Sequence, residues 1–380
     1  MNKNVDPRQQ AVRDEVKAFA EKEIIPISEE LDQMGEPRKF PHELYKKIGA
    51  AGFIGYCIPK EYEGQGKSFL EYATLIEELC YYDAAVGLLT AVGELATHPI
   101  VYYANEEHKK KYVPDCVNGR KIPAFVLTEP NAGSDAANCT TEAVEMDDHY
   151  LINGEKIFIM HGDVAEIAIL FCKIKDKPKL SAFIVDTNQP GWKARTLKNK
   201  MGMRAATTGG IFLKDVKVPK ENLMGDIGKG FRYAMGTLDS ARIGVAAQGV
   251  GIAQRALDES VARAKERVAF GAPIAKLQAI QWMIADMATR LEAARCLTYK
   301  VAKMADDGER YSLEASMAKL YATETANFCV DRAMQIWGGY GYIGEFSIIE
   351  KLYRDQRVLE IYEGTSEVQR LVIAGNIIGR

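Results

Sequence analysis

A mainly helical α+β fold, with a β domain set between two helical ones, is what this 380-residue sequence predicts. Three observations lead there. Apolar residues recur at helical spacing from Asp6 to about Leu127 and again from about Lys229 to the end. Between Thr140 and Pro219 the pattern changes to alternation with β-branched enrichment. The helix–sheet–helix order implies segregated layers, not an alternating parallel sheet. The division expected is residues 1–124, 125–228 and 229–380.

In the first domain Val12, Val16, Phe19 and Ile24 share a helical face. Phe40-Pro41-His42-Glu43 opens a second helix, with proline suited to its first turn, and that helix runs out between Gly49 and Gly55. Pro59 to Gly66 reads as a loop. A long apolar helical stretch follows from Phe69 to Ala104, with interruptions expected near Gly87 and at Pro99. A short helix covers Glu106 to Val113, ahead of Pro114 and Pro123. In the second domain Tyr150-Leu151-Ile152, Ile169 to Ile174, Ala182 to Val185 and Ile211 to Leu213 read as strands, and Asn153-Gly154 signals a hairpin. In the third, long helices near 231–266, 275–306 and 311–337 joined by short loops argue for an antiparallel bundle; Leu277, Ile280, Ile284, Met287 and Leu291 sit at helical spacing on one of them.

Hydrophobic residues make up 47% and charged residues 27%, with a net charge of −3, so nucleic acid and anionic membrane are not expected as main partners. No run approaches the roughly 18 apolar residues that span a bilayer. Met1 to Pro7 carries neither an apolar signal core nor an Arg-rich pattern, and a soluble cytoplasmic protein is the expectation. Seven scattered cysteines without a CxxC read as reduced thiols. Five histidines without an HExxH give no metal site.

Five stretches carry candidate chemistry. Ile361-Tyr362-Glu363-Gly364-Thr365-Ser366-Glu367-Val368-Gln369-Arg370 puts a carboxylate in a tight turn at a helix entrance, a suitable place for a general base. Gly364 lets backbone approach a ligand, and Thr365 or Ser366 can cap the helix that carries Val368, Leu371 and Val372 inward. Phe125 to Asp135 is a junction loop whose amides and hydroxyls, from Thr128 and Ser134, can hold carbonyl or phosphate oxygens. Leu238 to Arg242 sets Asp239 and Arg242 three apart on a helix, ordinarily a surface ion pair. Arg267 to Ile274 is a helix–loop–helix turn whose arginine could meet a pyrophosphate. Gln335 to Gly341 ends a helix with glycines, which serve as C-caps on structural grounds alone. No GxGxxG follows a strand and no Walker lysine is present, which excludes a Rossmann or P-loop reading.

In their order and spacing, the junction loop, the Arg-x-x-Phe-Gly turn, the Gln-Ile-x-Gly-Gly helix end and the Ile-Tyr-Glu-Gly-Thr stretch resemble the acyl-CoA dehydrogenase family, from about Pro7 to Ile377. That resemblance implies an N-terminal helical domain, a central β-barrel and a C-terminal four-helix bundle. It also implies a homotetramer, FAD bound partly across a subunit interface, and electrons passed to an electron-transfer flavoprotein. By the resemblance, Phe125, Leu127, Thr128, Gly133 and Ser134 line the isoalloxazine and the thioester side. Phe158 and Ile159 pack on the flavin. Arg267, Phe270, Gln278, Gln335, Gly338 and Gly339 hold the adenosine and pyrophosphate, and Thr365 and Glu367 touch the same cofactor. Ser134, Ala91, Glu94, Leu95, Asp239, Arg242, Tyr362 and Gly364 fall on the substrate side.

The implied reaction is α,β-dehydrogenation of an acyl-CoA to a 2-enoyl-CoA. Glu363 removes the α-proton and the β-hydrogen leaves as hydride to flavin N5. The thioester oxygen accepts from the backbone N–H of Glu363 and a ribityl hydroxyl, an oxyanion effect worth about 3–4 kcal/mol per donor. The alternative within the fold is the same chemistry on a cyclic or vinylogous acyl-CoA, or enoyl-CoA reduction, with Glu94 assisting. From a different class, a non-catalytic CoA-ester or flavin scaffold would keep the glycines and arginines but lose the base, which stands here.

Two departures from the family pattern stand out. Many relatives carry Trp-Ile-Thr-Asn-Gly where this chain has Phe158-Ile159-Met160-His161-Gly162, so a hydroxyl expected near flavin N5 is a thioether here. Glu94 falls three residues after Ala91 on the helix that supplies acyl-pocket walls, where a carboxylate is costly without a role. Small residues at 84, 85 and 91 leave room for a branched or ring-shaped acyl group.

Overall fold

The computed structural model describes residues 6–33, 35 and 38–379. The N-terminal run Met1 to Val5, read above for a targeting signal, lies outside them. The first region holds α1 (Pro7–Phe19), α2 (Ser28–Gln33), α3 (His42–Ala50), α4 (Phe69–Tyr82), α5 (Ala84–Tyr103) and α6 (Glu106–Val117). Between α1 and α2 the chain makes a π-helical turn over Ala20–Ile24, which accounts for the five-residue step from Phe19 to Ile24 in the apolar pattern.

The break between α4 and α5 falls at Asp83, not at Gly87. Asp83 is extended, and its Oδ1 accepts from the amides of Ala85 and Val86 at 2.9 and 3.3 Å, capping α5. Gly87 is instead a close-packing position, where a Cβ would sit 2.2 Å from Cys80 Sγ. Pro99 and Pro114 both lie inside helices, α5 and α6, so neither proline ends its helix. By length and composition α5 is apolar enough to cross a bilayer, contrary to the sequence reading, but 89% of its apolar window is buried inside the protein.

The middle region contains β1 (Pro123–Val126), β2 (Glu142–Glu145), β3 (His149–Met160), β4 (Ile167–Ile174), β5 (Leu180–Asp186), β6 (Trp192–Thr196), β7 (Thr208–Pro219) and β8 (Leu223–Met224). The helical pattern therefore stops before Leu127: Pro123–Val126 pairs in parallel with β4. The strands run β6-β7-β3-β2-β4-β5-β8, with β1 beside β4. This is an open path, and no pairing joins its two ends among the described residues, so the strand pairing does not confirm the central barrel that was expected. Alternation along β4 sorts its side chains: Ile167, Ile169 and Phe171 pack with α5 and α6, while Ala168, Leu170 and Cys172 fill the opposite face.

Asn153-Gly154 is not a hairpin. β3 runs through it with a bulge between Ile152 and Gly154. Gly154 has φ +156°, and a Cβ there would lie 2.4 Å from Thr141 Oγ1, so glycine is kept for close approach to the neighbouring strand. The turn joining β2 to β3 is Asp147-Asp148, closed by Met146 N–H to His149 O at 2.8 Å.

The last region has α7 (Gly230–Glu266), the two-residue strands β9 (Val268–Ala269) and β10 (Ala272–Pro273), α8 (Gln278–Asp306), α9 (Ser312–Trp337), α10 (Gly339–Tyr342), α11 (Ile349–Gln356) and α12 (Ser366–Ile378). The helices α7, α8 and α9 pack on one another and α12 lies against α9. One apolar cluster, including Leu75 and Leu79 of α4, Val250 of α7, Leu291 of α8 and Val330 of α9, fills both helical regions. Ion pairs tie the same halves together: Arg354 to Asp32 at 2.6 Å, Lys351 to Asp83 at 3.2 Å and Arg295 to Glu77 at 3.0 Å. Thr365 caps α12 by accepting from the Val368 amide at 3.3 Å. Leu371 does not point inward as expected; it is 69% exposed. The described residues contain no disulfide, and the thiols are mostly buried, Cys296 being exposed.

Candidate active site

Glu363 sits in a left-handed turn, φ +53°, followed by Gly364 at +93°. A glutamate holds that conformation only when its surroundings impose it. Here Gln369 Nε2 donates to the carbonyls of Glu363 and Gly364 at 3.2 and 2.9 Å, and Lys319 Nζ donates to Gly364 O at 2.9 Å. A Cβ at Gly364 would lie 2.5 Å from Gln369 Nε2, so the clamp requires glycine. The Tyr362 hydroxyl donates to Gln248 Oε1 on α7, fixing the turn from its other side.

Glu363 Oε2 is enclosed and has no hydrogen-bond partner. Burial raises its pKa to about 7, against the pull of Lys319 and Arg242. Lys319 is itself lowered to about 8 by burial, opposed by Glu363. Arg242 is not the surface ion pair that i,i+3 spacing suggests. It is buried, it bonds Asp239 Oδ1 at 2.6 Å, and it reaches Ser316 Oγ at 3.4 Å.

Glu363 faces a narrow cavity walled by α4, α5 and α7. Ala91, Glu94 and Leu95 line it as expected, joined by residues the sequence reading did not single out: Phe69, Tyr72, His98, Ser240, Ala241 and Gln248. The signal for some of these was present. Gln248 interrupts an apolar run on α7, and Lys319 is a lone cation on the alanine-rich face of Ala315, Ala318 and Ala322. Glu94 is 6% exposed and its pKa is raised to about 8 by burial, partly offset by the backbone N–H groups of Cys57 and Tyr56.

The junction loop is built on a buried ion pair. Lys156 Nζ lies 3.0 Å from Glu129 Oε1 and donates to Leu127 O and Phe171 O at 2.8 and 2.7 Å. Glu129 also accepts from the Thr140 and Thr141 amides at 2.6 and 3.0 Å. Burial alone would raise its pKa; Lys156 and these hydrogen bonds outweigh that and bring it to about 2. The Ile157 amide donates to Thr128 O at 3.0 Å, so Thr128 and Phe158 are held side by side. Phe158, φ +58°, projects with 66% exposure, whereas Ile159 is buried in the β core, not available to a ligand. Phe125 packs on Phe171, Leu127 is buried, and Gly133 and Ser134 stand exposed on the loop. At position 160 the thioether accepts from the Thr208 hydroxyl at 3.2 Å.

A second cleft of about 510 Å³ lies at the far end of the bundle, lined by Arg263, Arg267, Trp337, Gly338, Gly339 and Tyr340 among others. Gly338 adopts φ +60° and ψ −139°, and a Cβ at either glycine would meet nothing within 4 Å. Two arginines beside open glycine backbone and an indole suit a pyrophosphate and an adenine. Phe270, Gln278 and Gln335 are exposed outside that lining, Phe270 at 94%. Thr365 and Glu367 open α12. An exposed aromatic held at the junction loop and this basic cleft fit FAD, with no residue placed against it. Among the described residues no cluster of His, Cys, Asp and Glu could hold a metal.

Sequence profiles of the acyl-CoA dehydrogenase N-terminal, middle and C-terminal domains match residues 6–120, 124–216 and 228–378. The chain is 44% identical over 371 residues, 97% of each chain, to a subunit of the caffeyl-CoA reductase–Etf complex of Acetobacterium woodii. It superposes on butyryl-CoA dehydrogenase from Megasphaera elsdenii with a TM-score of 0.94 at 39% identity, covering 100% of both chains. It superposes on an acyl-CoA dehydrogenase complexed with FAD from Bacillus anthracis with a TM-score of 0.93 at 32% identity, covering 100% of this chain and 68% of that one.

Proposed function

This chain belongs to the acyl-CoA dehydrogenase family of FAD-dependent oxidoreductases, and from that premise we propose that it moves hydrogen across the α,β bond of a CoA thioester with Glu363 as the proton-transferring group. The observation that carries the reading is Glu363 itself: a carboxyl in a clamped left-handed turn, its Oε2 unpartnered and facing the cavity. FAD, when bound, supplies two-electron acceptance or donation at the β carbon. The residues of this chain do the rest. Glu363 takes the α-proton on Oε2, and its backbone N–H donates to the thioester oxygen as negative charge develops there. Arg242 and Lys319 keep the carboxylate form accessible, while burial keeps it basic. Phe158, Thr128 and Ser134 flank the isoalloxazine; Arg267, Gly338 and Gly339 receive the adenosine end.

A pKa of about 7 leaves Glu363 able to give a proton as well as take one. That, with the similarity to a reductase subunit, supports enoyl-CoA reduction as the second reading. The same similarity supports an electron-transfer flavoprotein as redox partner. Large apolar side chains exposed around the bundle, Trp282, Leu371, Ile377 and Ile378, support a homotetramer that covers them. The test is anaerobic bleaching of the flavin-loaded protein by saturated acyl-CoAs, alongside reoxidation of the reduced protein by enoyl-CoAs. Glu363→Gln is expected to lose both while retaining flavin. If that variant turns over at the wild-type rate, the assignment of the base is wrong.

A further inference from the structure

Two residues that line the cavity beside Glu363, Glu94 and His98, each carry a buried polar atom with no hydrogen-bond partner in the protein, Oε2 and Nδ1. Both side chains are more than nine-tenths buried, at 6% and 8% exposure. They lie one helical turn apart on α5, on the face that also presents Ala91 and Leu95. Burial brings His98 down to about 3, so its imidazole is neutral. Ser240 and Gln248 add polar groups from α7. The space among these residues is about 10 Å³, the size of one water-sized group.

A plain hydrocarbon chain laid against these atoms would leave each of them desolvated and unpaired, a cost of about 1–3 kcal/mol per group. An acyl group that carries its own oxygen returns the hydrogen bonds. A terminal carboxylate does not suit the place, because no lysine or arginine lines the cavity to balance its charge. We propose that this pocket recognises a CoA ester whose acyl group bears an uncharged oxygen, a hydroxyl or carbonyl, hydrogen-bonded by Glu94 and His98. The proposal rests on the reading above and names its substrate class. Glu94 acts here by recognition, its carboxyl donating or accepting a hydrogen bond, and not as a base for a second proton.

The experiment compares matched esters: butyryl- with 4-hydroxybutyryl-CoA, pentanoyl- with 5-hydroxypentanoyl-CoA, and glutaryl-CoA as the anionic member. Dissociation constants are read from the flavin spectrum of the Glu363→Gln holoenzyme, where no turnover intervenes, and bleaching rates from the wild type. At least one hydroxylated ester is expected to bind about tenfold tighter than its plain partner, with glutaryl-CoA weaker than both. Adding Glu94→Leu should erase that ratio, whereas adding Glu94→Gln, which keeps a donor and an acceptor, should keep it within about threefold. Equal affinities within every pair overturn the proposal. So does a Glu94→Leu change that weakens both members of each pair alike with flavin retained, and so does loss of wild-type-background turnover in Glu94→Gln alone, which would mark Glu94 as a base. Absence of bleaching by any ester in the wild type counts against the reading of the reaction, while the binding ratio still decides the recognition.

Discussion

Lys319, in the middle of α9, donates from Nζ to the carbonyl oxygen of Gly364 at 2.9 Å, and so ties the helical core to the residue that follows Glu363. The lysine is fully buried and serves two ends at once, holding the turn and placing a cation near the carboxylate. Lys319→Met is expected to slow turnover by about 10²-fold, the scale of a small misplacement of a reacting group. It should also raise the apparent pKa of the rate profile, because a cation that favours the carboxylate is gone. A slower enzyme with an unmoved profile would mean that Lys319 only supports the fold.

The role of Glu363 in each direction is readable from pH. Glu363 lies near pH 7. For dehydrogenation the carboxylate is the active form, so kcat/KM should fall about tenfold per unit below that value. For enoyl-CoA reduction the protonated form delivers the proton, and the same plot should fall above it. Rate profiles measured in both directions with one substrate pair settle which limb controls each.

Stability should also respond to pH, through Glu94. Its folded pKa of about 8 stands above the ordinary carboxyl value of 4.5. Between those values the folded state keeps a proton that the unfolded state has lost, so stability declines as pH rises through that window. Glu94→Gln should flatten the decline in melting temperature from pH 5 to pH 8. A slope equal to that of the wild type would show that Glu94 does not titrate there.

Lys156 and Glu129 form a pair in which each partner is costly alone. Lys156→Met is expected to destabilise the protein by about 3–5 kcal/mol, since it strands a buried carboxylate. It should also loosen the loop that presents Thr128 and Ser134, and so weaken FAD retention. Denaturant unfolding and flavin content check both effects. Adding Glu129→Gln should recover part of the stability.

Met160 replaces the hydroxyl that the family pattern puts near the flavin, and the Thr208 hydroxyl donates to its sulfur. Met160→Thr should shift the flavin reduction potential measurably. An unchanged potential would mean that the thioether is electronically silent at this position.

The three-region plan was legible because the hydrophobic period itself changes from helical to alternating and back. Glu363 is singled out by the family resemblance of the Ile-Tyr-Glu-Gly-Thr stretch; a turn, a glycine and a cap alone describe a solvated capping glutamate equally well. What could not be read is what depends on partners distant in the chain. Asp83 ends α4 because its carboxylate caps α5 and meets Lys351, while Gly87, the better local breaker, is needed for contact with Cys80. Asn153-Gly154 carries hairpin chemistry, yet the pairing of β3 with β7 overrides it and leaves a bulge. Arg242 looked like a surface residue until α9 covered it.

The single apolar cluster shared by α4, α7 and α9 sets a schedule for the chain's birth. A ribosome adding roughly 5–20 residues per second finishes α4 roughly 10–50 seconds before α7 and α9 are complete. Through that interval the greasy sides of α4 and α5 have no lasting cover, and the strands of the middle region emerge between them and their eventual neighbours. A message that stops before Gly230, where α7 begins, therefore yields N-terminal helices whose apolar faces lack the cover that α7 and α9 give them.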